Sequence, residues 1–130
     1  MSTASGRCEC GAVTYRVNGP LREVVACHCK QCRRTSGHYS AYTSSAVADL
    51  ELVHSDGLRW YRSSEAAERG FCERCGSNLF WRPSAEPARI SIAAGTLDGA
   101  TGLRISRHIF VADAGDYYTL AAGEAQHPEW

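Results

Sequence analysis

Cys27-His28-Cys29-Lys30-Gln31-Cys32-Arg33-Arg34 places three thiols within six residues. Upstream stands Cys8-Glu9-Cys10-Gly11, and downstream Cys72-Glu73-Arg74-Cys75-Gly76-Ser77. These arms hold all seven cysteines of the chain. Neighbours one or two positions apart are too constrained to staple a small fold by disulfides, whereas two thiolates on one tight turn readily grip a metal ion. Four thiolates close a tetrahedral site and three leave a coordination position open, so seven divide into one closed and one open site. Cys27, Cys29 and Cys32 lie on one short segment and form the open site, where a fourth ligand from elsewhere is optional. Cys8, Cys10, Cys72 and Cys75 are two bidentate arms far apart in sequence, joined through one structural ion. Gly76 after the last arm lets backbone N–H groups turn toward the sulfurs. An all-sulfur donor set favours zinc at both sites, with iron the runner-up at the closed one.

The rest of the composition narrows the function classes. At 130 residues, a second hydrophobic core would leave each half near the lower limit for independent folding, so a single domain over residues 1–130 is expected, with its core at about 6–111. Fourteen Lys and Arg balance fourteen Asp and Glu, and this neutrality argues against a nucleic-acid partner. No apolar run approaches the length needed to span a bilayer, which argues against a membrane partner. The first ten residues are small and polar and lack the apolar stretch of a secretory signal, so a reducing, cytoplasmic compartment is expected.

Short runs rich in β-branched and aromatic residues recur at 11–17, 21–26, 39–43, 50–53, 58–62, 78–82, 89–95 and 103–111, predicting a mainly β fold. Asn18-Gly19-Pro20 is a turn signal and predicts a hairpin between the first two runs. Helical periodicity is weak, with short turns expected at 30–36, 44–50 and 64–68. Glycines, including Gly57, Gly70 and Gly76, read as strand ends. Trp60, Tyr61, Phe80 and Trp81 are expected in the core or a cleft wall. The residues after about 122 read as a tail, with Trp130 as its anchor.

With Ala94-Gly95-Thr96-Leu97-Asp98 and His108-Ile109-Phe110 added to the three cysteine arms, the chain resembles the glutathione-dependent formaldehyde-activating enzyme family, also called the CENP-V/GFA domain. The resemblance runs from about Gly6 to Val111. It implies an Mss4-like, β-tent fold of several short antiparallel strands in small packed sheets. It also implies a structural zinc on the first and last arms and a catalytic zinc on the central trio. The chemistry it implies is that of a carbon–sulfur lyase, typified by the reversible combination of glutathione with formaldehyde. Asp113-Ala114-Gly115-Asp116-Tyr117-Tyr118 departs from the family pattern, which bears on thiol specificity more than on metal binding.

Around the trio, His28 can shuttle a proton, supply a fourth ligand, or support a ligand by a hydrogen bond. Arg33 and Arg34 can clamp a substrate carboxylate, such as glutathione presents, or form a solvated face. His108 has the best claim among the remaining histidines, and Glu9 is expected to be exposed. Two functions follow: a zinc-dependent carbon–sulfur lyase acting on a small thiol adduct, or a non-catalytic, zinc-stabilised binding module of the Mss4-like type.

Overall fold

The computed structural model describes residues 3–130. Eleven strands and one α-helix follow in chain order among these residues. They are β1 (Thr3–Arg7), β2 (Val13–Asn18), β3 (Val24–Cys27), α1 (Lys30–Ser36), β4 (Ser40–Ala46), β5 (Leu50–Ser55), β6 (Leu58–Arg62), β7 (Ala67–Cys72), β8 (Asn78–Pro83), β9 (Arg89–Ala93), β10 (Ile105–Ile109) and β11 (Ala125–Gln126). The fold is mainly β, as the short β-branched runs predict. Among the described residues no helix is long and apolar enough to cross a membrane. The elements gather into two compact units, each built from two separate stretches of chain, and β4 passes from one into the other.

The larger unit lies within residues 3–22 and 43–102. It contains an antiparallel sheet in the order β1-β2-β5 and a second antiparallel run in the order β9-β8-β7-β6. β2 shows why these segments are strands: Val13, Tyr15 and Val17 are buried while Arg16 and Asn18 are exposed, the two-residue alternation of a sheet with one face on a core. The core consists of these three residues with Cys8, Cys72, Leu79, Phe80, Ile90 and Ile92. Full burial of a large apolar side chain contributes roughly 1.5–3 kcal/mol, so Phe80, Leu79 and Ile92 carry much of the unit's stability. Tyr15 meets Phe80 edge to face at 5.4 Å. Its hydroxyl lies 2.7 Å from Thr96 Oγ1, which places the phenol end over β1. There Gly6 is required, because a Cβ at that position would fall 2.2 Å from Tyr15 Oη.

The smaller unit lies within residues 23–42 and 103–130. β3 is its central strand, parallel to β10 on one side and antiparallel to the start of β4 on the other. β11 extends the sheet by pairing parallel to β10. β3 is buried along Val24, Val25 and Ala26 on both faces, as expected of an interior strand. Two caps delimit α1. Cys29 Sγ accepts the Cys32 N–H at the start, and Gly37, in the left-handed region at φ 75°, returns its N–H to Arg33 O at the end.

Four expectations need correction. The 11–17 and 21–26 runs do not form a hairpin: β2 pairs with β1 and β5, and β3 pairs with β10 and β4. Residues 64–68, expected to turn helically, lead into β7, which is bonded on both sides by β6 and β8. Gly70 lies inside β7, where a side chain would press on the Trp60 ring at 3.1 Å. Tyr61 is exposed rather than part of the core. Trp130 does anchor the residues after 122: it packs edge-on to Phe110 at 5.2 Å, while Phe110 N–H donates to Glu129 O and Val111 N–H to His127 O.

Candidate functional site

Each unit carries one cysteine cluster. In the larger unit, Cys8 and Cys10 follow β1, while Cys72 ends β7 and Cys75 sits in the turn after it. Both arms turn through a glycine in the left-handed region, Gly11 at φ 81° and Gly76 at φ 80°, a conformation costly to residues bearing a Cβ. The turns aim donors at sulfur and brace each other: Val13 N–H reaches Cys8 Sγ at 3.3 Å, and Glu9 N–H donates to Ser77 Oγ at 3.0 Å. Glu9 itself is exposed, as expected. The four sulfurs lie within 4.8 Å of one another, with Cys8 to Cys10 at 3.7 Å and Cys10 to Cys72 at 3.8 Å. A tetrahedron of zinc–sulfur bonds of about 2.3 Å has edges of about 3.8 Å, so the quartet has the dimensions of a closed metal site. The Cys75 thiol is pushed down to about 5, first by the Ser77 hydroxyl and then by the backbone N–H groups of Cys10 and Ser77.

In the smaller unit, Cys27 ends β3, Cys29 caps α1 and Cys32 lies in its first turn. Their sulfurs also lie within 4.8 Å of one another. The Cys27 thiol is raised, first by its shared hydrogen bond with Cys32 and then by burial, because three crowded sulfurs resist ionising together. A cation removes that conflict, so the donor set of both clusters fits a thiophilic metal: the two clusters, one of four cysteines and one of three, could hold two metal ions.

His28 stands between two of the trio's cysteines but turns its ring elsewhere. It is fully buried, with Nδ1 2.5 Å from Tyr118 Oη and Nε2 2.9 Å from His108 Nδ1. His108 Nε2 in turn lies 2.7 Å from Glu124 Oε1. The carboxylate only accepts, so His108 donates from Nε2 and accepts at Nδ1 from His28 Nε2–H, which leaves His28 Nδ1 to accept the Tyr118 hydroxyl. Gly115 N–H donates to the same hydroxyl oxygen at 3.3 Å, consistent with that direction. Burial first, then His108 and His38, lower His28 to about 4 and keep it neutral at physiological pH. With both ring nitrogens engaged, His28 is not a fourth ligand in this arrangement.

α1 presents Lys30, Arg33 and Arg34 to an open cleft of about 300 Å³, closed on another side by Gly37 and Tyr117. Arg33 is partly held, its guanidinium donating to Asp113 O at 3.0 Å. Tyr117 is fixed by its hydroxyl, 2.7 Å from His38 Nδ1. Sequence reasoning picked out Arg33, Arg34, His28 and His108 but missed Lys30, Tyr118 and Glu124. The two adjacent tyrosines in the segment departing from the family pattern were the available signal.

Comparison with known proteins agrees with the cysteine pattern. Residues 3–113 match the family described as glutathione-dependent formaldehyde-activating enzyme. A Schizosaccharomyces pombe protein named an uncharacterized lyase is 25% identical over 122 residues, covering 93% of this chain and 88% of that protein. A Halomonas elongata protein provisionally named a glutathione-dependent formaldehyde-activating enzyme is 36% identical over 88 residues, 58% of this chain, and the match spans 53% of that protein. A crystal structure of a Rhodobacter sphaeroides protein superposes with a TM-score of 0.63 at 26% identity, covering 75% of this chain and 90% of that one. This chain belongs to the glutathione-dependent formaldehyde-activating enzyme family.

Proposed function

We propose that the protein is a zinc-dependent carbon–sulfur lyase acting in the cytoplasm on the adduct of a small thiol such as glutathione with an aldehyde, with formaldehyde as the reference case. Zinc on Cys8, Cys10, Cys72 and Cys75 is structural, and zinc on Cys27, Cys29 and Cys32 is catalytic. The observation that carries this reading is the trio itself. Among the described residues, three ligand atoms gather there against four at the other cluster, and His28 is occupied elsewhere. A three-thiolate zinc supplies a Lewis-acidic position at which a thiol is held as thiolate at neutral pH.

The remaining work falls to the chain. In the cleavage direction the carbon–sulfur bond breaks with its electron pair passing to sulfur, the adduct hydroxyl loses its proton as the carbonyl forms, and the sulfur leaves as thiolate. Tyr118, backed by His28, His108 and Glu124, holds and passes that proton along a buried chain whose far end, Glu124, reaches solvent. Lys30 and Arg34, with Arg33 steadied by Asp113 O, bind the carboxylates of the thiol and orient its sulfur.

The test is adduct formation by zinc-loaded protein from glutathione and formaldehyde, compared with Cys29→Ser. The expected result is a metal-dependent rate that the variant loses. Equal rates for the two proteins would remove the catalytic role of the trio.

A further inference from the structure

β4 buries four hydroxyls: Ser40, Thr43, Ser44 and Ser45. Three of them have partners. Thr43 donates to Arg22 O, Ser44 Oγ accepts from the Arg89 guanidinium at 2.7 Å, and Ser45 donates to Ala46 O at 3.0 Å. Ser40 is only 3% exposed, and among the described residues its Oγ has no hydrogen-bond partner. A buried hydroxyl left unpaired costs about 1–3 kcal/mol, so a native strand keeps one where something satisfies it.

The register shows what lies beside it. Ser40 is the direct antiparallel partner of Cys27. Residues so paired put their side chains on the same face of the sheet, with Cβ atoms about 4.5–5.5 Å apart. From that spacing a serine oxygen reaches a cysteine sulfur by rotamer choice alone. Ser40 Oγ is buried on the face of the sheet that also carries the Cys27 side chain.

We propose that Ser40 is a positioning residue of the trio, its hydroxyl donating a hydrogen bond to the Cys27 thiolate when that site holds its metal. The inference rests on the reading of the trio as a metal site. The bond would fix the sulfur lone pair that faces away from the metal and draw charge from it, leaving the metal the better electrophile. It would also make the trio's affinity depend on a hydroxyl on the opposing strand.

The test is chelator competition on the zinc-loaded protein, following metal release as two phases, with the phase abolished by Cys29→Ser assigned to the trio. Ser40→Ala is expected to weaken that phase by about 10- to 100-fold while leaving the quartet phase unchanged, the usual effect of losing a hydrogen-bond partner of a metal ligand. Ser40→Thr and Ser40→Val separate the hydroxyl from bulk, since the two side chains are nearly isosteric and both suit a strand. Retention of trio affinity by threonine and its loss by valine would support the proposal. Equal affinity in these two variants, or Ser40→Ala within twofold of wild type, would overturn it. If Cys29→Ser removes no phase, the trio holds no metal in the wild-type protein, and the proposal falls together with the reading beneath it.

Discussion

His28 Nε2 lies 2.9 Å from His108 Nδ1, joining two buried imidazoles 80 residues apart in sequence. The contact fixes the tautomers of both rings through Glu124 and delivers a directed hydrogen bond at Tyr118. With the Tyr118 bond it engages both ring nitrogens of His28, although two cysteines of the trio flank that residue. β3 and β10 run parallel with Ala26 opposite His108, which brings His28, two residues further along, toward the same region.

Breaking the chain at either end is expected to slow turnover without removing metal. Tyr118→Phe deletes the hydroxyl on His28, and Glu124→Gln replaces the carboxylate that sets the His108 tautomer. A positioned proton-transfer group contributes about 10²–10⁴-fold, so Tyr118→Phe should lower kcat by about 100-fold, and Glu124→Gln, acting through two rings, by less. Steady-state kinetics alongside zinc stoichiometry checks this. Loss of zinc in either variant would point to a structural role instead.

The two clusters should differ in what their loss does to the fold. Cys72 is buried in the core of the larger unit, and its removal should destabilise by on the order of 4 kcal/mol, in the range reserved for loss of a metal site. Cys29 is half-buried at a helix cap, and Cys29→Ser retains an oxygen that can accept the Cys32 N–H, so in metal-free protein its cost should be about 1 kcal/mol. Thermal melts of the two variants are the measurement.

Burial holds the Tyr15 phenol at about 12, above its ordinary 10. For a group whose folded value is raised, the stabilisation is fully present below pH 10 and is lost as pH rises through 12. Denaturant unfolding of the wild type should therefore weaken across that window, by up to roughly 3 kcal/mol. Tyr15→Phe should show a flatter profile there, together with a lower baseline from the lost bond to Thr96.

Gly6→Ala should destabilise by at least about 1–3 kcal/mol, the cost of overpacking, because the new methyl meets both Tyr15 and the Thr96 carbonyl oxygen at less than contact distance. Pairing it with Tyr15→Leu should recover part of that loss in a double-mutant cycle, whereas strict additivity would place the strain elsewhere.

The two cysteine clusters were legible because chelation demands close spacing, and spacing is written directly in the sequence. β6 and α1 fall at 58–62 and 30–36, as read from their residues, since Trp60 with Tyr61 and the Cys29 cap are local signals. β7 was not legible. Its start, Ala67-Glu68-Arg69, has the propensity of a helix, and strands on both sides override it. The expected hairpin failed because Asn18-Gly19-Pro20 reports a turn but not the partner taken afterwards. Tyr118, Glu124 and Ser40 acquire their roles through pairing across 90, 16 and 13 positions of chain, which no local pattern records.

Catalysis by the trio requires sulfur to be divided four and three, with room left at the trio for an incoming thiol. X-ray absorption at the zinc edge of the fully loaded protein, before and after adding glutathione, tests this most directly. The expected average is about 3.5 sulfurs per zinc without the thiol and about 4 with it, at two zinc ions per chain. One zinc per chain, or a sulfur count that glutathione leaves unchanged, would contradict it.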